Sequence, residues 1–268
     1  MKSKPQILLT NDDGIQSPGL WSAAEALASL GYVTVAAPRE QSSGMGRSLP
    51  STSDGIIKKE TLIVHGQPWT VHAVGGSPAQ AVLHGILEIM PEPPDLVVSG
   101  INYGENIGTG VTISGTVGAA MEAAALGYPA MAVSLETHQS YHLTHSRDVD
   151  FAAAGYFTAY FARLLLERKF PEAVQVLKVE VPSDATPETG WQLCRLTRQR
   201  YYDPVKPERT SWDVPVSVGY REAARMENEP DDTDAYVMRK KRLVAVTPLG
   251  LDLTAQVDMS ALDRLMRK

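Results

Sequence analysis

The 268-residue chain has a single cysteine, Cys194, so no internal disulfide framework can staple it. That scarcity fits a reducing cytoplasm. No run approaches the ~18 consecutive apolar residues of a membrane-spanning helix, so no membrane partner is expected. The N-terminal Met-Lys-Ser-Lys-Pro is followed by apolar character only from Ile7 to Thr10, too short for the core of a signal peptide. Basic residues are in deficit: 25 Lys and Arg against 31 Asp and Glu give a net charge of −6. That balance argues against the basic footprint on which a nucleic-acid duplex is bound. Internal repeats and low-complexity tracts are also missing. What remains is an ordinary globular composition, 43% hydrophobic and 21% charged. At this length roughly three quarters of the unfolded surface can be buried without staples.

The first two thirds alternate short apolar runs with helical periodicity. Gln6 to Thr10, Val33 to Ala37, Val71 to Val74, Leu96 to Ser99, Ala130 to Leu135 and Val174 to Val181 have the length and composition of buried strands. Between them Pro18 to Leu30, Ser77 to Met90, Gly115 to Leu126 and Val149 to Arg168 have helical spacing. Ser77-Pro78 supplies an N-cap and a first-turn proline. This alternation predicts an α/β protein, a mostly parallel sheet flanked by helices on both faces. We therefore divide the chain into a core over 1–181 and a C-terminal extension over 182–268. The extension is polar and Pro-rich, with two-residue periodicity at Val214 to Val218 and Tyr236 to Val246. Antiparallel strands or an extended arm are expected there, with Lys240-Lys241-Arg242 as a hairpin turn and a short helix near Met259 to Arg267.

The informative residues follow the strands. Asn11-Asp12-Asp13-Gly14, Gln41-Ser42-Ser43-Gly44, Gly75-Gly76-Ser77, and Ser99-Gly100-Ile101-Asn102 with Gly104-Glu105-Asn106 all stand at strand ends. Ligands of open parallel sheets bind outside the carboxyl ends of the strands, so these loops should face one crevice. Asp12 and Asp13 would repel each other unless a cation neutralises them, and oxygen donors without Cys or His suit a hard divalent ion, magnesium or manganese. The same four residues also make an ordinary turn. Further on, Ile113-Ser114-Gly115-Thr116-Val117-Gly118 opens an Ala-rich helix, whose free amides and hydroxyls form a phosphate cradle. Ser114 or Thr116 would cap that helix in any case, and the two roles are compatible. Neither a Walker loop nor a Gly-x-Gly-x-x-Gly fingerprint is present. A hard cation beside a phosphate cradle points to metal-assisted transfer of a phosphoryl group to water.

These segments resemble the SurE family, the stationary-phase survival proteins that act as 5′/3′-nucleotidases. The likeness is carried by Ile7 to Gly14 with Pro18-Gly19, by Ala37-Pro38 through Gly44, by Pro94 to Asn102 with Gly104, Asn106 and Gly108, and by Ser114 to Glu122. Thr233-Asp234 and Val246 to Thr254 extend it downstream, so it runs along nearly the whole chain. It implies a Rossmann-like core and one divalent metal per subunit held by Asp12, Asp13, Ser43 and Asn102. It also implies that Asn106, Ser114, Gly115 and Thr116 hold or orient the phosphate and the attacking water. The implied substrate is a nucleoside 5′- or 3′-monophosphate. The implied assembly is a homodimer or homotetramer built by exchange of the C-terminal arm. Gln80 and Ala81 stand where the family usually has an acid and a cysteine, and Gln80 is expected to act behind the ligands.

Asp12 or Asn106 would orient the water. Asp12 as a covalent nucleophile is the weaker variant, because the Asp-x-Asp signature of aspartyl-phosphate enzymes is absent. An exposed loop carboxylate adds little to a core, so Asp12→Asn should stop turnover and leave the fold intact. Two other classes compete. One is a nucleoside N-ribohydrolase, which has no use for the phosphate turn; the other is a non-catalytic nucleotide-binding module, which has no use for paired carboxylates. His138, His142 and His145 have helical spacing, but their polar surroundings favour a solvent loop near the crevice over a zinc site. Asp231, Asp232 and Asp234 are expected in a solvated turn, Cys194 is expected to be inert, and Tyr201-Tyr202 to serve packing.

Overall fold

The structure, a computed structural model, describes residues 4–223 and 228–267. Met1 to Ser3, which open the N-terminal stretch judged too short for a signal peptide, lie outside the described residues. The chain forms β1 (Gln6–Thr10), α1 (Pro18–Ala28), β2 (Tyr32–Pro38), β3 (Ile57–Val64), β4 (Gln67–Val74), α2 (Pro78–His84), β5 (Leu96–Tyr103), α3 (Gly115–Ala125), β6 (Ala130–Leu135) and α4 (Ala152–Glu167). Then follow β7 (Val176–Val181), β8 (Trp191–Leu193), β9 (Tyr202–Val205), β10 (Gly219–Glu222), the helical turn α5 (Asp234–Tyr236), β11 (Val244–Leu249) and α6 (Met259–Met266). Nine strands make one sheet in the order β3-β4-β2-β1-β5-β6-β7-β11-β8, and β9 pairs with β10 apart from it. From β4 to β7 every neighbouring pair is parallel, giving the Rossmann-like α/β fold. β3 and β11 run antiparallel to β4 and β7.

Strand periodicity divides β1 between two apolar layers. Ile7 and Leu9 face α1 and α4, packing with Leu20, Leu27, Phe157 and Phe161. Leu8 faces α2 and α3, with Val82, Val117 and Ala120. Each fully buried aliphatic side chain contributes about 1.5–3 kcal/mol, so the centre of the sheet is held from both faces. Strand order reverses around β1, with β2 on one side and β5 on the other. The crevice outside their carboxyl ends is where ligands of such sheets bind.

The structure differs from the sequence reading at particular elements. Pro78 to Met90 is not one helix: a single π-turn over Gly85–Ile89 continues α2. A Cβ at Gly85 would lie 2.8 Å from the methyls of Leu8, so the chain there packs directly on β1. β3 was not expected. It is an edge strand whose exposed Lys58 and Lys59 hide its period, a usual protection of sheet edges. Val214 to Val218 lies outside the strands, and the pairing begins at Gly219. Tyr236 to Val246 is a helical turn, then a π-turn over Val237–Lys241, then β11, so Lys240-Lys241-Arg242 closes a helical segment rather than a hairpin. β11 and β8 are built into the main sheet beside β7.

Candidate active site

The turn after β1 is stapled by Asn11, whose Oδ1 accepts from Gly14 N (3.2 Å) and whose Nδ2 donates to Gly14 O (3.1 Å). The turn chemistry is therefore real, and it serves to hold the next two carboxylates. Asp12 is only 4% exposed, which corrects the expectation of an exposed loop residue. Its Oδ1 accepts the Thr116 hydroxyl at 2.5 Å, and its carbonyl accepts Ser42 N at 2.7 Å. Thr116 stands in the first turn of α3. A Cβ on neighbouring Gly115 would meet the Asp12 carboxylate at 2.8 Å, so only glycine admits this approach. Burial pushes the Asp12 carboxyl above its ordinary range, opposed by the Thr116 hydroxyl and by amides at the start of α3.

Asp13 is buried beside it. Its Oδ2 accepts Tyr103 N (3.1 Å) and its Oδ1 accepts Gln41 Nε2 (3.2 Å). Burial first, and the Asp12 charge second, push Asp13 well above the usual carboxylate range. Among the described residues no Lys or Arg forms an ion pair with either carboxyl.

The end of β5 supplies the facing wall. One extra residue lies on β5 between the pairs Ser99–Ala132 and Asn102–Ser134, a bulge that re-aims the strand end. Gly100 occupies it at φ 131°, where a Cβ would stand 2.3 Å from Val133 O. Asn102 Nδ2 donates to Gly104 O (2.6 Å), which commits the amide nitrogen and leaves Oδ1 as the donor oxygen. Ser114 caps α3, its Oγ accepting Val117 N (3.1 Å). Ser43 is exposed on the loop whose Ser42 reaches Asp12, and Gly46 N bonds Ile113 O (3.0 Å), tying that loop to the start of α3. Hydrogen bonds thus link Asp12, Asp13, Thr116, the chain at Tyr103 and the loop carrying Ser43, while Asn102 precedes Tyr103 on β5. A polar cleft of about 300 Å³ opens alongside, lined by Arg39, Ser42, Asp54, Gly75 and Ser77.

Two adjacent, buried carboxylates with no ion-pair partner among the described residues, joined by hydrogen bonds to the loop carrying Ser43 and to the strand end carrying Asn102, fit a hard divalent cation. Asp12, Asp13, Asn102 and Ser43 are the side chains that would hold it.

Asn106 sits above a buried charge cluster that the sequence reading missed. Lys178 and Glu180 on β7 and Asp234 at the start of α5 have no solvent exposure. The solvated turn expected at Asp231, Asp232 and Asp234 is therefore corrected at Asp234. Burial works against the Lys178 ammonium, but the charges of Glu180 and Asp234 outweigh it and hold the pKa above its ordinary value. The available signal was the polar pair two residues apart within the otherwise apolar Val176 to Val181.

Glu105, also missed, is 4% exposed; Tyr202 donates to its Oε1 (2.8 Å) and burial raises its pKa to about 7. The three histidines separate into different tasks. His138 bonds Ser140, His142 stacks on Tyr220 with centroids 6.1 Å apart, and His145 Nε2 lies 2.8 Å from Asp13 O. Among the described residues no three His, Cys, Asp or Glu side chains gather to hold a metal. Gln80 completes a capping box: its Oε1 accepts Ser77 N (2.9 Å) and Ser53 Oγ (2.6 Å), and its Nε2 donates to Pro50 O (3.0 Å).

The fold and crevice define a Rossmann-like α/β protein whose ligand site pairs buried carboxylates with a helix N-terminus. The chain belongs to the SurE family. The profile described as "Survival protein SurE" matches residues 7–203. The protein named 5′-nucleotidase SurE of Methanocella arvoryzae is 39% identical over 268 residues, covering 98% of each chain. The one from Thermococcus gammatolerans is 41% identical over 263 residues, covering 97% of this chain and 96% of its own. The crystal structure of the SurE protein from Aquifex aeolicus, 32% identical, superposes with a TM-score of 0.76 over 98% of this chain and 100% of that one.

Proposed function

We propose that the chain is a divalent-metal-dependent phosphomonoesterase, hydrolysing nucleoside 5′- and 3′-monophosphates to nucleoside and phosphate. The relatives bear the name 5′-nucleotidase, which supports the substrate class. The observation that carries the reading is the direct contact between Asp12 and Thr116: it brings a charge-deficient acidic pair against the helix N-terminus best suited to a phosphate. Magnesium or manganese bound by Asp12, Asp13, Ser43 and Asn102 would polarise the phosphoryl oxygen and lower the pKa of water.

The chain supplies the remainder. The Ser114 hydroxyl proton, which capping does not use, would meet the phosphate at the start of α3, where Gly115 and Thr116 hold Asp12 in place, while Asn106 and Asp12 would orient the attacking water. The single buried cysteine supports a cytoplasmic location. No helix among the described residues is long and apolar enough to cross a membrane. Arm exchange into a homodimer or homotetramer is supported by apolar side chains left in solvent after residue 205: Trp212 is 90% exposed, and α6 buries none of its own residues.

Phosphate release from a panel of nucleoside monophosphates, with and without chelator, tests the reading. Metal-dependent release that disappears in Asp12→Asn is expected. Release of free base would instead establish the N-ribohydrolase, and tight binding without turnover at saturating manganese the regulatory module.

A further inference from the structure

The Asn106 backbone is clamped at both ends by buried charge. Its N–H donates to Glu180 Oε2 (2.9 Å), and its carbonyl accepts Lys178 Nζ (2.9 Å). Lys178 also donates to Glu180 Oε1 (3.3 Å) and Asp234 Oδ2 (3.2 Å), which uses all three ammonium protons. Asp234 Oδ2 accepts Gly108 N (2.9 Å), so the cluster grips the loop two residues further on as well.

The side chain is fixed by one more step. Ser134 Oγ donates to Glu180 Oε1 (3.4 Å) and accepts Asn106 Nδ2 (3.1 Å). Each of these contacts to Glu180 comes from a donor, so the carboxylate only accepts. A serine has one proton. With that proton committed to Glu180, Ser134 offers Asn106 lone pairs alone, and the amide must turn its nitrogen inward. One Nδ2 proton satisfies Ser134 and the second remains free. Stability alone does not account for the cluster, because apolar residues of similar volume commonly replace a buried ion pair at no cost.

We propose that Lys178, Glu180 and Ser134 are positioning residues: a buried relay that sets which edge of the Asn106 amide faces the crevice and keeps one N–H aimed for a phosphoryl oxygen. This rests on the reading of Asn106 as a phosphate-holding group.

The test is a double-mutant cycle of Ser134→Ala and Asn106→Ala in the full-length protein. Two readouts are taken: calorimetric binding of inorganic phosphate at saturating magnesium, and steady-state hydrolysis of a nucleoside monophosphate. Ser134→Ala should weaken phosphate binding and lower kcat/KM by about tenfold each, the size of one charge-assisted hydrogen bond. Neither should fall further when Asn106 is already alanine, and Ser134→Thr, which keeps the hydroxyl, should return both toward wild type. A Ser134→Ala protein that behaves as wild type, or losses equally large in the Asn106→Ala background, would overturn the relay. If phosphate binding follows the cycle but no nucleotide is hydrolysed, positioning stands and the nucleotidase reading fails. If nucleotide is hydrolysed while the losses add independently, the reverse holds.

Discussion

Glu105 makes a stability prediction that the structure sizes directly. Its carboxyl is buried, Oε1 accepts the Tyr202 hydroxyl, and Oε2 has no hydrogen-bond partner among the described residues. Burial raises its pKa from the ordinary 4.5 to about 7. In the unfolded chain the group ionises near 4.5, whereas in the folded chain it keeps its proton to about 7. Its contribution to stability is therefore fully present below pH 4.5, declines as pH rises, and is gone once pH passes the folded value. The loss is about 1.4 kcal/mol per pH unit, or about 3 kcal/mol over the interval. Glu105→Gln keeps the shape and an acceptor for Tyr202 but does not titrate. Urea unfolding of both proteins from pH 4 to 8, at one protomer concentration, should show the variant gaining about 3 kcal/mol on the wild type, with the gain complete just above neutrality. Groups common to both proteins cancel in this difference. Parallel stability curves would show that the carboxylate is solvated in the folded state and would refute the burial account.

The other predictions concern the crevice and the arm. Asp12→Asn should abolish turnover, yet in chelator it should match or exceed wild-type thermal stability, because a neutral amide relieves the buried acidic pair. Magnesium at 100 times Kd should add about 3 kcal/mol to the wild type alone, reversing the order, and an unchanged order in melting curves would remove Asp12 from the ligands. Gly115→Ala should cost about 1–3 kcal/mol and most of the activity, since its Cβ collides with Asp12; near-normal kcat/KM would disprove the close approach. Leu265→Asp on α6 should shift the assembly toward monomer in light scattering and leave monomer stability within about 0.5 kcal/mol, because the residue is exposed within one chain.

The central strands were legible because burial on both faces leaves continuous apolar runs, as in Ala130 to Leu135, whose limits match β6. The loops that meet at the crevice were legible for a topological reason: all follow parallel strands. What escaped depends on partners distant in sequence. β8 and β9 are three and four residues long and carry too few positions to show a period. Asp234 resembled a solvated acid because its partner Lys178 lies 56 residues away. Asp12 resembled an exposed turn residue because its covering, Thr116, lies 104 residues away. Sequence pattern thus located the strand ends, whereas the burial of their charges arises only when helices and loops close over them.

The two buried charge groups differ in a way that separates scaffold from site. In the lower group one ammonium stands between two carboxylates, and backbone amides take further lone pairs: Asn106 N at Glu180, and Gly108 N and Thr197 N at Asp234. That group holds the chain above it through these amides. In the upper group Asp12 and Asp13 share only neutral donors, Thr116, Gln41 and backbone amides; burial raises both carboxyls, as it raises Glu180 below, but only the upper pair adds the repulsion of an adjacent carboxylate with no lysine against it. Neutral donors lower the cost of burying a carboxylate but do not cancel the repulsion of a second one. One lysine offsets one of the two negative charges of the lower group and backbone amides bear part of the rest, whereas among the described residues the upper pair of acids has no ion-pair partner. On the proposed reading, a divalent ion held by Asp12 and Asp13 would supply the counter-charge missing at the lip of β1, with the phosphate beside it at the start of α3.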